Sequence, residues 1–175
     1  MIELKQAKLP MDYDVYVFDL YGTLVDIHTD ESDMAVWDEL SHFYGYYGAT
    51  YTGKALKAAY GKLIRGKEKQ LKSTLEKDPR YSHEASPEIE ITDVFTELFA
   101  AKGIPVEREF AVYTGQFFRI LTTEYVRLYK GTVRMLEQLC AAGKKVYLLS
   151  NAQRIFTEYE MRKLDLVKYF DGIMI

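Results

Sequence analysis

The sequence predicts an α/β protein in which a parallel sheet carries an all-helical insertion, and three observations lead there. An apolar run near the N-terminus, Val15–Phe18, reads as a strand. Residues from about Asp33 to Leu128 carry the spacing of helices. From Thr132 onward the order is helix, strand, helix, strand, which is the signature of a parallel sheet. At 175 residues the chain has room for a small core with one insertion.

The elements follow in order. Val15–Phe18 is apolar on both faces, as expected of a strand covered on both sides. In "DMAVWDELSHFYGYYG", Met34, Trp37, Leu40 and Ser41 or Tyr44 recur at helical spacing. "GKALKAAYGKLIRGKEKQLKS" is a basic amphipathic helix whose apolar stripe is Leu56, Ala59, Tyr60 and Leu63. "SPEIEI" breaks it with Pro87 and the alternation of Ile89 and Ile91. Thr92 or Asp93 then caps the helix "VFTELFAAKG", which Gly103 ends. "VEREFAVYTGQFFRILTTEYVRLY" reads as the last and longest helix of the insertion. Val133, Leu136, Leu139 and Cys140 share one face of the next helix, with Gly143 as its stop. Lys145–Ser150 is a second buried strand, a helix runs from about Gln153 to Leu164, and "YFDGIMI" supplies a third strand.

Composition narrows the function. With 48% apolar and 28% charged residues the chain can build a real core and reads as a soluble globular protein. A net charge of −3 gives no general attraction to nucleic acid or to an anionic membrane, so neither is expected as a partner. The single cysteine excludes an internal disulfide framework and suits a reducing compartment. The N-terminal stretch shows no secretory signal, and no apolar run is long enough to span a bilayer, so a cytoplasmic location is expected. The 15 tyrosines come without a basic groove and are read as packing between helices.

The chemistry is sought where the first strand stops. Asp19 would stand at the carboxyl end of a parallel strand, where open α/β sheets place their sites. A carboxylate there can attack phosphorus or an activated carbon and form an ester, dividing one hard displacement into two easier ones. Gly22 permits the chain reversal that keeps it accessible. Thr23 and the pair Ser150-Asn151 offer neutral donors for an anionic group. Read one at a time, Thr23 is a turn residue and Ser150-Asn151 a helix cap; their order along the chain favours a site.

These residues resemble the haloacid dehalogenase-like hydrolases. The first motif of that family is a strand ending in Asp-x-Asp-Gly-Thr, and here it reads Asp19-Leu20-Tyr21-Gly22-Thr23. The second is a strand ending in Ser or Thr, here Leu148-Leu149-Ser150-Asn151. The resemblance implies a Rossmann-like core of residues 1–28 and 129–175, with a helical cap of 29–128 inserted after motif one. It implies a hydrolase acting on a small anionic substrate, with Asp19 as nucleophile and Tyr21, Gly22, Thr23, Ser150 and Asn151 around the substrate. It implies Mg2+ on Asp19 and the backbone carbonyl of Tyr21 where the protein is a magnesium-dependent phosphatase. No metal is implied where it is a dehalogenase.

Two departures matter. Phosphatases of the family carry a second aspartate where this chain has Tyr21, and a phenol with a reference pKa of about 10 is a poor base near neutrality. Asp-x-Tyr-Gly-Thr is instead the form in the 2-haloacid dehalogenases, which also match Ser150-Asn151. Those enzymes use an arginine early in the cap, whereas Arg65 falls later and reads as a solvated helix charge. A phosphatase-type hydrolase is placed first, a dehalogenase second, and a catalytically silent binding member third. The lysine and acidic residues that end the later strands of the family would lie beyond Ile175, and neither Lys163 nor Lys168 takes that lysine's place. A truncated core is therefore expected. Residues 1–175 should be inactive alone, and an uncovered first strand should favour self-association.

The other polar residues have plainer readings. His28, His42 and His83 lack metal-ligand spacing to one another or to Cys140. His28 reads as a loop histidine in solvent, Asp26, Asp30, Glu31 and Asp33 as a solvated acidic hinge, and Cys140 as a helix core residue.

Overall fold

The computed structural model describes residues 12–77 and 88–175. Pro87, His83 and the N-terminal residues 1–11 lie outside the described residues. The chain divides into two compact units, one of Met1–Ile27, Val126–Ala152 and Glu158–Ile175, the other of His28–Tyr125 and Gln153–Thr157.

The first unit holds three strands: β1 (Val15–Phe18), β4 (Lys145–Leu149) and β5 (Gly172–Met174). They pair in the order β1-β4-β5, and both pairings are parallel. Helix α5 (Thr132–Ala141) precedes β4, and α6 (Arg154–Lys163) joins β4 to β5, as parallel strands require a crossover. Val146 and Leu148 on one sheet face pack with Leu136 and Leu139 of α5 and with Met161 and Leu166, and Tyr16, Phe18 and Ile173 join that cluster. The opposite face differs from expectation: Val15 and Val17 are 52% and 55% exposed, and Leu149 and Met174 are exposed with them. The described helices cover β1 on one side only. On the open face the ring of Tyr147 lies against Gly172, where an added Cβ would come within 2.9 Å of it. Asp171 opens β5 and ties it to β4, accepting from the Val146 amide at 2.9 Å and pairing with Lys145 Nζ at 2.6 Å.

The second unit is helical: α1 (Met34–Tyr46), α2 (Gly53–Leu75), α3 (Ile91–Ala100) and α4 (Arg108–Thr122). Its core is aromatic, as the tyrosine count suggests. Tyr44 stacks on Phe99 with centroids 4.1 Å apart, and Trp37 meets Tyr60 and Phe118. The Tyr44 hydroxyl donates to Phe95 O and that of Tyr51 to Leu98 O, so the buried phenols keep partners. Burial pushes the hydroxyl pKa values of Tyr44 and Tyr60 upward and keeps both neutral. The side chain of Gln153 acts like a strand edge within this unit, donating to Ile89 O at 2.9 Å and accepting from Ile91 N at 3.2 Å.

Several sequence expectations are corrected. The longest helix is α2, with 23 residues; α4 stops at Thr122 and the chain continues as strand β3 (Thr123–Leu128). That strand pairs with β2 (Val25–Thr29), which the sequence reading lacks. The cap of α3 is Glu90, whose side chain accepts from Thr92 N, so Thr92 and Asp93 fall inside the first turn. Val36 replaces Met34 on the buried face of α1, and Met34 is exposed. Cys140 is also exposed, because Thr132, Leu136 and Leu139 take the buried face of α5 and rotate it outward. His28 belongs to β2 and stacks on Tyr125 of β3, with centroids 5.9 Å apart. Asp26, rather than sitting in a solvated hinge, takes two hydrogen bonds from Arg127 at 2.7 and 2.8 Å across the ribbon. Asp33 caps α1 by accepting from Ala35 N.

Candidate active site

The register of the sheet places the first site residue. Phe18 ends β1 opposite Leu148 of β4, so Asp19 and Ser150 follow at the carboxyl ends of adjacent parallel strands. Asp19 is exposed, whereas the next residue, Leu20, is fully buried. Leu20 anchors the turn, and its carbonyl oxygen accepts from the amides of Thr23, Leu24 and Val25 at 3.3, 2.8 and 2.9 Å. The chain closes on itself again where Gly22 N donates to Val25 O. Gly22 sits at φ +75°, in the left-handed region where a Cβ is disfavoured, although that Cβ would meet nothing within 4 Å. The glycine is there for its backbone conformation. Thr23 is exposed on the same turn, and Leu24 O is fixed from outside it by Tyr129 N and Thr132 Oγ1, each at 3.1 Å.

Ser150 is buried at the end of β4, with its amide bound to Met174 O of β5 and its Oγ accepting from Ala152 N at 3.4 Å. Asn151 is exposed beside it. Tyr21 is half-buried and directs its hydroxyl to Glu160 of α6, donating to Oε2. Glu160 is a residue that the sequence reading missed. Its signal is its place on α6: Thr157, Glu160 and Met161 are the buried positions there, so a glutamate falls on the stripe where an apolar residue is expected.

Lys144 and Lys145 lie at the start of β4, the end opposite Ser150, paired with Asp14 at 3.1 Å and Asp171 at 2.6 Å. Lys168 is paired with Asp165. For magnesium, Asp19 and the Tyr21 carbonyl would offer two oxygens, and an ion held by one or two carboxylates keeps several waters and takes substrate oxygens besides. Among the described residues no group of three or more His, Cys, Asp and Glu could hold a metal. Arg65 is exposed on α2, as a solvated helix charge should be.

The family model of the haloacid dehalogenase-like hydrolases matches residues 13–175. The chain belongs to this family. Solved structures similar to this family member include the L-2-haloacid dehalogenase of Xanthobacter autotrophicus, at 19% identity over 92% of this chain and 56% of that one, with a TM-score of 0.37. A predicted phosphoglycolate phosphatase from Haemophilus somnus is 12% identical over 93% of this chain and 62% of that one, with a TM-score of 0.38. YfnB of Bacillus subtilis, a predicted HAD-hydrolase bound to magnesium, is 16% identical over 92% of this chain and 64% of that one, with a TM-score of 0.41. The chain thus spans 56% to 64% of the length of these structures. No curated protein matches it in sequence. Among the described residues no helix is long and apolar enough to cross a membrane.

Proposed function

We propose that the protein is a hydrolase that forms an ester on Asp19 with a small anionic substrate. The observation that supports this is the placing of Asp19, exposed at the carboxyl end of β1, beside Ser150 at the end of β4. In this reading one Asp19 oxygen attacks the substrate, and Thr23, Ser150 and Asn151 hold its anionic group through hydrogen bonds. Water then cleaves the ester. Residues 1–28 and 129–175 form the catalytic core in the proposal, and 29–128 the cap. An anionic substrate facing a carboxylate needs positive charge close by in the transition state. Lys144 and Lys145 stand at the far end of β4 and do not supply it.

A phosphatase-type reaction is the first form of the proposal. The engagement of the Tyr21 hydroxyl by Glu160 favours a second, displacement of halide from carbon, because that leaving group needs no acid. The test of both is Asp19→Asn in the full protein, combined with rapid quench and mass spectrometry of the peptide that carries residue 19. Loss of turnover with folding retained, and an adduct on Asp19 in the wild type, are expected. Wild-type turnover by the variant would remove the nucleophile. A folded protein with no turnover on phosphate esters or haloacids would leave the silent binding member standing instead.

A further inference from the structure

Glu160 is a carboxylate on α6 that is only 2% exposed. Burying a charge is costly unless it is hydrogen-bonded, and one partner is the Tyr21 hydroxyl, 139 residues away in sequence. A phenol has one proton to give and lone pairs with which to accept. While that proton is donated to Glu160, the Tyr21 oxygen can accept from other groups but has nothing left to donate. The consequence rests on the reading of Asp19 as nucleophile.

We propose that Glu160 is a positioning residue that commits the single hydroxyl proton of Tyr21 to a buried carboxylate, so that the Asp19 site works on substrates whose leaving group departs without a proton. The chemical class is a small anionic molecule with a weakly basic leaving group. It is either a halide on carbon or a phosphoryl group on a stabilised oxygen, as in an aryl or acyl phosphate. The step balances without an acid. An Asp19 oxygen bonds to carbon or phosphorus, and the bond to the leaving group breaks with its electron pair. The negative charge of Asp19 thereby passes to the departing anion. Water then opens the ester, which restores the carboxylate, leaves a hydroxyl on the product and releases one proton to solvent. An alkoxide is too basic to leave in this way, and a free Tyr21 proton would help it most.

The probes are aryl phosphates of graded phenol basicity, together with 2-chloro- and 2-bromopropionate; which set turns over distinguishes the two sources of the chemistry. The full protein is compared with Glu160→Met, which fills similar space without a carboxylate, and with that variant carrying Tyr21→Phe. In the wild type, kcat/KM should fall steeply as the phenol becomes more basic. Glu160→Met should flatten that slope, raising the relative rate on the most basic phenol by about tenfold or more. Adding Tyr21→Phe should restore the steep slope, and halide release should not change in Glu160→Met. Equal slopes in wild type and Glu160→Met, both folded, would overturn the role of Glu160. Turnover surviving in Asp19→Asn would instead sink the nucleophile. Where Glu160→Met fails to fold, Glu160→Gln, which holds the proton less firmly, should give an intermediate slope. A measurement independent of turnover is the hydroxyl proton resonance of Tyr21, assigned by its loss in Tyr21→Phe. It should shift in Glu160→Met, and an unmoved resonance would overturn the proposal.

Discussion

Phe18 lies opposite Leu148 in the parallel β1–β4 pair, one residue before Asp19 and two before Ser150. A slip of one residue would turn Tyr16 and Phe18 out of the core and Val15 and Val17 into it, so burial enforces this register. Ser150→Ala should therefore leave the strands paired while removing a donor from the site. Stability should fall by about 0.5–1.5 kcal/mol, the usual net worth of one hydrogen bond, here from Ala152 N. The variant's kcat/KM should fall by about tenfold or more. Urea melts and steady-state rates check both, and an unchanged kcat/KM would take Ser150 out of the site.

Tyr21→Phe removes a donor from a carboxylate that stays buried. The expected loss is about 0.5–1.5 kcal/mol, the usual net worth of one hydrogen bond. Adding Glu160→Met should recover much of it, since an apolar pair of similar volume is often neutral. Denaturant midpoints of the single and double variants decide. Additive losses would mean that the two side chains do not act as a pair.

The strands of the core were legible because short apolar runs bounded by Asp19, Gly143 and Ser150 have few other uses. The ribbon was harder to read. Val25-Asp26-Ile27-His28-Thr29 alternates with the period of a strand, but it directly follows the turn residues that draw attention to themselves. Thr123–Leu128 continues α4 with no Gly or Pro between, and only the run of β-branched and aromatic residues there marks the change. Asp19, Gly22, Thr23, Ser150 and Asn151 are candidates that their order along the chain and the family resemblance offer. Glu160 meets Tyr21 only through tertiary contact, so no local pattern names its partner.

Gly22→Ala tests the turn by its backbone alone. At φ +75° the new Cβ finds open space, so the cost is conformational, about 1–2 kcal/mol. The amides gathered on Leu20 O should loosen together, and ester formation on Asp19 should slow more than stability alone accounts for. A thermal melt beside a quench-flow measurement gives both quantities. A variant as stable and as fast as the wild type would show that the turn tolerates a side chain.

Asp171 gives a pH prediction with a definite sign. The hydrogen bond from Lys145 and that from the Val146 amide hold its carboxyl below the usual carboxylate range in the folded chain. Its contribution is therefore present above the unfolded value of about 4 and is lost as pH falls through the lower folded value. Thermal midpoints measured from neutral pH into acid should drop further in the wild type than in Asp171→Asn. Parallel curves would mean that the Asp171 contacts add nothing to the joining of β5 to β4.

The ring of Tyr147 lies where any side chain at position 172 would have to go, within 2.9 Å of an added Cβ. The two positions therefore share one volume, and residue 172 can grow only where the Tyr147 ring shifts or shrinks. Among sequences descended from a common ancestor with this chain, a residue larger than glycine at 172 should appear together with a smaller one at 147. Such a trade would be visible as correlated substitution between two neighbouring strands. In directed evolution the same link favours paired changes at 147 and 172 over a single change at 172.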